Sequence, residues 1–109
     1  GGRSLDIQAV FDNMASTFKP EAAAGVAVVF QFTISGSAGG DWSAVISDGA
    51  CTIEAGRHAK PVCTLKMADG DFAAMMRGEL PAMQAFTSGK LVIEGDIMKS
   101  QLIEQLFTM

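Results

Sequence analysis

Residues 71–107 read DFAAMMRGELPAMQAFTSGKLVIEGDIMKSQLIEQLF, and the punctuation of this stretch decides the fold. Asp69 stands just ahead of it as a candidate N-cap for a helix carrying Phe72, Met75 and Met76, and Gly78 supplies the stop. Pro81 opens a second short helix with Met83 and Phe86 three apart, and Gly89 closes it. Residues 90–94 follow as a strand. Asp96 then caps a last helix, on which Ile97, Met98, Leu102, Ile103, Leu106 and Phe107 make a wide apolar face.

Upstream, the period of the apolar residues changes twice. Ile7, Val10, Phe11, Met14 and Phe18 recur at three- and four-residue steps behind Ser4, a candidate N-cap, which predicts an amphipathic helix of about four turns. Pro20 and Gly25 bracket a short Ala-rich helical turn. Val26, Val28, Phe30, Phe32 and Ile34 then alternate with smaller or polar residues, the signature of a strand with one buried face. A Gly-rich loop at 35–40 leads to a strand over 41–47, with Trp42, Ala44 and Ile46 on one face. Asp48-Gly49 is a tight-hairpin signal into a strand over 50–55, and residues 62–68 make another. Five strands with helices clustered at both ends of the sequence predict an α+β domain: a five-stranded, mostly antiparallel sheet covered on one face by about five helices.

A chain of 109 residues has room for one core, so residues 1–109 are expected to form one domain. Gly1-Gly2-Arg3-Ser4 reads as a processed or cloning-derived, disordered start. The longest uncharged apolar run, residues 22–30, is far short of the ~20 residues that a membrane-spanning helix needs. A net charge of −4, with eight Lys and Arg scattered singly, argues against nucleic acid, whose binding rests on clustered positive charge. Cys51 and Cys63 lack metal or redox spacing and fall on apolar strand faces, as free thiols do in a reducing, cytoplasmic compartment.

Catalytic signatures are absent. His58 is the sole histidine and lies in a polar loop beside Arg57 and Lys60. There is no nucleophile elbow, zinc motif or phosphate loop, and Gly89-Lys90-Leu91 lacks the flanking residues of the last. Asp69 and Asp71 sit where carboxylates favour a helix dipole, so capping accounts for them. No metal, cofactor or catalytic group is expected. What stands out is a store of soft apolar side chains, seven Met and seven Phe with no Tyr. Such residues can fill a core, or line a cavity that adapts to differently shaped ligands.

The order Asp71-Phe72, Gly78, Ala85-Phe86, Gly89-Lys90-Leu91, Ile93, Gly95-Asp96 and Leu106-Phe107 resembles the sterol carrier protein 2 family. FQFTISG, DWSAVISDG and CTLKMADGDF upstream agree more loosely, so the resemblance runs over about residues 5–107. It implies a strand order of 3-2-1-4-5 and a hydrophobic tunnel between sheet and helices. It also implies non-catalytic binding and transfer of lipid: a fatty acid, fatty acyl-CoA or sterol-like molecule. Candidate lipid-binding residues are Phe11 and Met14 on the first helix, Val28, Phe30 and Phe32 on the first strand, and Met75 and Met76. Met83, Phe86, Met98, Leu102 and Leu106 complete the set. The acidic chain is a poor partner for the phosphates of coenzyme A unless Arg57, Lys60, Lys66 and Lys90 converge, which favours fatty acids or neutral lipids. The C-terminal helix, terminal and joined through Gly95, is a candidate movable wall. The competing reading is an interaction or dimerisation module with a closed core and no ligand, working with a lipid-metabolising enzyme. Transient membrane contact and a homodimer are both compatible with either. The chain ends Phe107-Thr108-Met109, without the Ser-Lys-Leu-like address of many eukaryotic members, which points to a stand-alone bacterial-type member.

Overall fold

The computed structural model describes residues 7–37, 39–57 and 60–107. The expectations for residues 1–4, including the Ser4 cap, and for His58 lie outside them. Helix α1 (Ile7–Ser16) and a 3-10 turn (Pro20–Ala23) precede a meander of β1 (Val28–Ser35), β2 (Gly40–Ser47) and β3 (Ala50–Ala55). Strand β4 (Cys63–Ala68), α2 (Asp69–Met76), α3 (Ala82–Thr87), β5 (Val92–Gly95), α4 (Ile97–Ser100) and α5 (Leu102–Leu106) follow. The sheet order is β3-β2-β1-β4-β5, with β1 and β4 parallel and every other pair antiparallel. The expected α+β architecture and strand order both hold.

Local chemistry explains the elements. Asp48 (φ 54°) and Gly49 (φ 73°) both take left-handed backbone, which makes the β2–β3 connection a two-residue hairpin whose twist matches its strands. On β1, Val28, Phe30, Phe32 and Ile34 are buried toward the helices, as their alternation requires. Asp69 departs from its expected role. Helix α2 begins at Asp69 itself, after Ala68, and the Asp69 carboxylate accepts from the adjacent Gly70 N–H (2.8 Å).

The core centres on Phe11, which is fully buried. Its ring lies 4.9 Å from Trp42, 5.3 Å from Phe32 and 4.7 Å from Phe72, so one residue of α1 joins β1, β2 and α2. Phe18 and Phe107 meet at 5.7 Å, and the Lys19 N–H donates to the Leu106 carbonyl (2.7 Å), which ties the end of α5 to the segment after α1. On the opposite face of the sheet, the link from β3 to β4 is held by Gln31. Its amide donates to the Trp42 (2.9 Å) and Gly56 (3.3 Å) carbonyls, so this buried polar side chain is satisfied where the chain crosses back to pair in parallel. Val62 N–H then donates to the Val29 carbonyl (2.8 Å).

Two stability effects follow from this packing. Phe11→Ala removes the ring shared by four elements and is expected to cost about 3–5 kcal/mol in denaturant unfolding. Gly95→Ala puts a Cβ 2.8 Å from the Val62 carbonyl oxygen at φ 93°, and should cost about 1–3 kcal/mol by the same measurement. A variant at either site that unfolds like the parent would contradict the packing described.

Candidate functional site

Aromatic side chains fill the space between sheet and helices beneath α1 and α2. At the β4–β5 end it is not filled. The register sets Leu65 of β4 opposite Ile93 of β5, and these two apolar residues floor a groove. Met75 of α2 and Ala82, Met83 and Phe86 of α3 form one side. Ile97 of α4 and Ile103 of α5 face them, with Leu91 at the entry to β5. The groove holds about 490 Å³, within the ~300–1,000 Å³ usual for small-molecule sites. A neighbouring hollow of about 410 Å³ shares Met75, Ala82, Met83 and Glu104 with it, so Met83 and Ala82 stand between the two.

The groove opens to solvent, unlike the enclosed tunnel that the family resemblance implies. Met83 is 66 % and Phe86 40 % exposed at its rim, beside the exposed Ile97. Helix α3 buries only Ala85, whereas α5 buries Ile103 and Leu106 and is followed by buried Phe107. The lightly held wall is therefore α3. The expected C-terminal helix is interrupted at Gln101, where its N–H reaches back to the Met98 carbonyl (3.3 Å), and its second half is anchored in the core. Asp96 does cap its first half, accepting from the Lys99 N–H (3.1 Å).

Of the candidate lining residues, the groove brings together Met75, Met83 and Phe86. Phe11, Met14, Val28, Phe30, Phe32 and Met76 are buried in the core outside the lining, and so is Leu106. Leu102 packs against that core from a half-buried position. Met98 is 75 % exposed, and its neighbour Ile97 takes the lining position instead. Sequence reasoning passed over Leu65, Leu91 and Ile93. Their signal was present in the inward alternation of β4 and in the GKL.I.GD motif itself. It also passed over Ser100, Gln101, Glu104 and Gln105, which supply the polar part of the lining. The Ser100 hydroxyl donates to the Ile97 carbonyl.

The perturbed thiols lie on the strands. Burial pushes both Cys51 and Cys63 from the ordinary 9.0 to about 11, and the nearby Asp96 carboxylate adds to the rise at Cys63. Both are poor nucleophiles at neutral pH. Among the described residues no cluster of three His, Cys, Asp or Glu could hold a metal ion, and no helix is long and apolar enough to cross a membrane.

A family model described as the SCP-2 sterol transfer family matches residues 7–108. Hydroxysteroid dehydrogenase-like protein 2 of Xenopus tropicalis is 30 % identical over 104 residues, covering 94 % of this chain and 25 % of the relative. Among solved structures, the inverting sec-alkylsulfatase Pisa1 from Pseudomonas sp. superposes with a TM-score of 0.84 at 20 % identity, over 99 % of this chain and 17 % of that one. Sterol carrier protein 2 like 2 of Aedes aegypti superposes over 90 % of this chain and 94 % of its own, with a TM-score of 0.73 at 21 % identity. The palmitated form of that protein gives 0.67 at 18 % identity, covering 92 % of this chain and 93 % of its own. The chain thus spans about a quarter of the curated relatives it first matches, and a smaller share of the sulfatase.

The thiols carry a pH prediction. The folded state keeps their protons up to about 11, while the unfolded chain releases them near 9.0. Stability is therefore at its full value below pH 9 and falls as pH rises from 9 to 11. Thermal unfolding across that window should show the decline, and the Cys51→Ala/Cys63→Ala variant should flatten it. An aromatic disulfide reagent at about pH 8 should react slowly with the native protein and quickly after denaturation.

Proposed function

The chain belongs to the SCP-2 sterol transfer family, and on that premise we propose that it binds and transfers single-chain lipids, with no chemistry of its own, in the groove between α3, β5 and the α4–α5 segment. The observation that carries this reading is the groove: apolar side chains from six elements surround a volume suited to a small molecule, where a closed core would leave none. The palmitated form of the similar Aedes aegypti protein supports a long hydrocarbon chain as the occupant, whatever its head group.

Energetics agree with that choice. An alkyl chain hiding ~400 Å² of apolar surface at ~25 cal/mol/Å² gains about 10 kcal/mol before ordering costs, enough for micromolar affinity after them. No covalent anchor is required. Entry runs past α3, whose Met83 separates the two hollows. A methionine has the rotamer freedom to swing aside and join them.

A second role rests on the coverage figures. Nearly the whole chain superposes on a minor part of a sulfatase and aligns with a quarter of a dehydrogenase-like protein. Presenting a lipid to a lipid-metabolising enzyme, within the same chain or beside it, is the corresponding proposal. It retains the groove as the binding site.

A fluorescent long-chain probe should bind the protein saturably with micromolar Kd. Met83→Trp, at an exposed position that leaves the core untouched, should fill the space between the two hollows and weaken that binding about tenfold, or about 1.4 kcal/mol, with little change in Tm. Unchanged affinity in Met83→Trp would remove the groove from the reading. Lack of uptake by the parent would remove lipid binding.

A further inference from the structure

The polar atoms of the groove are not spread round its rim. Leu65, Met75, Met83, Phe86 and Ile93 give the floor and the α2–α3 side only hydrocarbon and thioether. Ser100, Gln101, Glu104 and Gln105 all come from one wall, the α4–α5 segment. An amphiphile lying in the groove has one side on which its head can be hydrated and hydrogen-bonded, and Glu104 is the only charged group there among the described residues. Glu104 also borders the neighbouring hollow, so a chain in either space meets it.

Among the described residues, no cation of the lining balances that carboxylate. The basic residues next to lining positions are paired with other carboxylates or lie outside the lining. Arg77 is held by Glu79 at 2.8 Å, and Lys66 by Glu94 at 3.1 Å on the sheet face opposite Leu65 and Ile93. Lys90 and Lys99 are exposed and outside the lining. A fatty carboxylate would bring a second negative charge beside Glu104 with no cation among the described lining residues to neutralise either. A hydroxyl head could instead donate to the Glu104 carboxylate and accept from the Gln101 or Gln105 amide.

Resting on the lipid-binding reading, we infer that the groove selects single-chain amphiphiles whose heads carry no negative charge, such as long-chain alcohols, over the matching carboxylates. Glu104 is the residue that sets this preference.

Competition against the fluorescent probe tests it, with dodecanol, dodecanoate and dodecyltrimethylammonium at equal chain length, about pH 8 and below micelle-forming concentrations. Dodecanol should displace the probe at about tenfold lower concentration than dodecanoate, the size of a screened like-charge contact near a protein surface. Dodecyltrimethylammonium should compete at least as well as dodecanol. Glu104 is exposed, so Glu104→Gln and Glu104→Lys should fold, with Tm as the control. Glu104→Gln should narrow the gap and Glu104→Lys should invert it. Equal competition by dodecanoate and dodecanol in the parent, or a gap that Glu104→Lys leaves unchanged, would overturn the inference while sparing the binding reading. A parent protein that takes up neither the probe nor any of the three would overturn both.

Discussion

Everything else in this fold is arranged around the ring of Phe11. It is fully buried, stacks on Trp42 and touches Phe32 and Phe72, so the first helix, the centre of the sheet and the second helix are fixed by one side chain. Interiors pack at crystal-like density, and rings at these separations leave no room for a ligand among them. Half of the interlayer is thus closed, and any cavity must lie beyond the cluster. That is where β5, a strand of four residues at the sheet edge, and the short helix α3 leave the space unfilled.

The pattern of elements was legible because it depends on local rules. Alternation on β1, the left-handed pair Asp48-Gly49 and the Asp96 cap each act within a few residues, and each reappears where the sequence put it. Sheet order was not a product of periodicity. It came with the family resemblance, and its physical lock, Gln31 bonding to Trp42 and Gly56, joins residues far apart in sequence. The site was less legible than the fold. Met and Phe at helical spacing look alike whether they line a groove or fill a core, so Phe11, Phe30 and Phe32 were indistinguishable from Met83 and Phe86. Phase decided the rest. The helix after Asp96 breaks at Gln101, which turns Ile97 and Ile103 to the groove and leaves Met98 in solvent.

Polar lining is the part that apolar periodicity was bound to miss. Gln101, Glu104 and Gln105 sit on what looks like the solvated side of a terminal helix, and solvation is the ordinary reason for such residues. Only the approach of α3 across the groove makes that side a wall. The same tertiary fact shifts the candidate for a moving part. A terminal helix is a natural lid when nothing holds it, but here Leu106 and Phe107 are core residues and the Leu106 carbonyl accepts from Lys19 N–H.

Stability and plasticity are therefore divided along the sheet. The β1–β2–α1–α2 half is cemented by aromatic contact, and loss of any one ring is felt by all its neighbours. The β4–β5 half is floored by a regular register, Leu65 against Ile93, yet walled by a helix that buries one alanine. Elements with few buried apolar contacts open at low free energy, without unfolding the remainder. Were the groove to take lipid as proposed, a regular floor and a lightly held wall would suit chains of different length, at the cost of exposing Met83 and Phe86 when empty. On the lipid-binding reading that exposure has a use: the side chains left in water at the rim are the first apolar surface an incoming chain would meet.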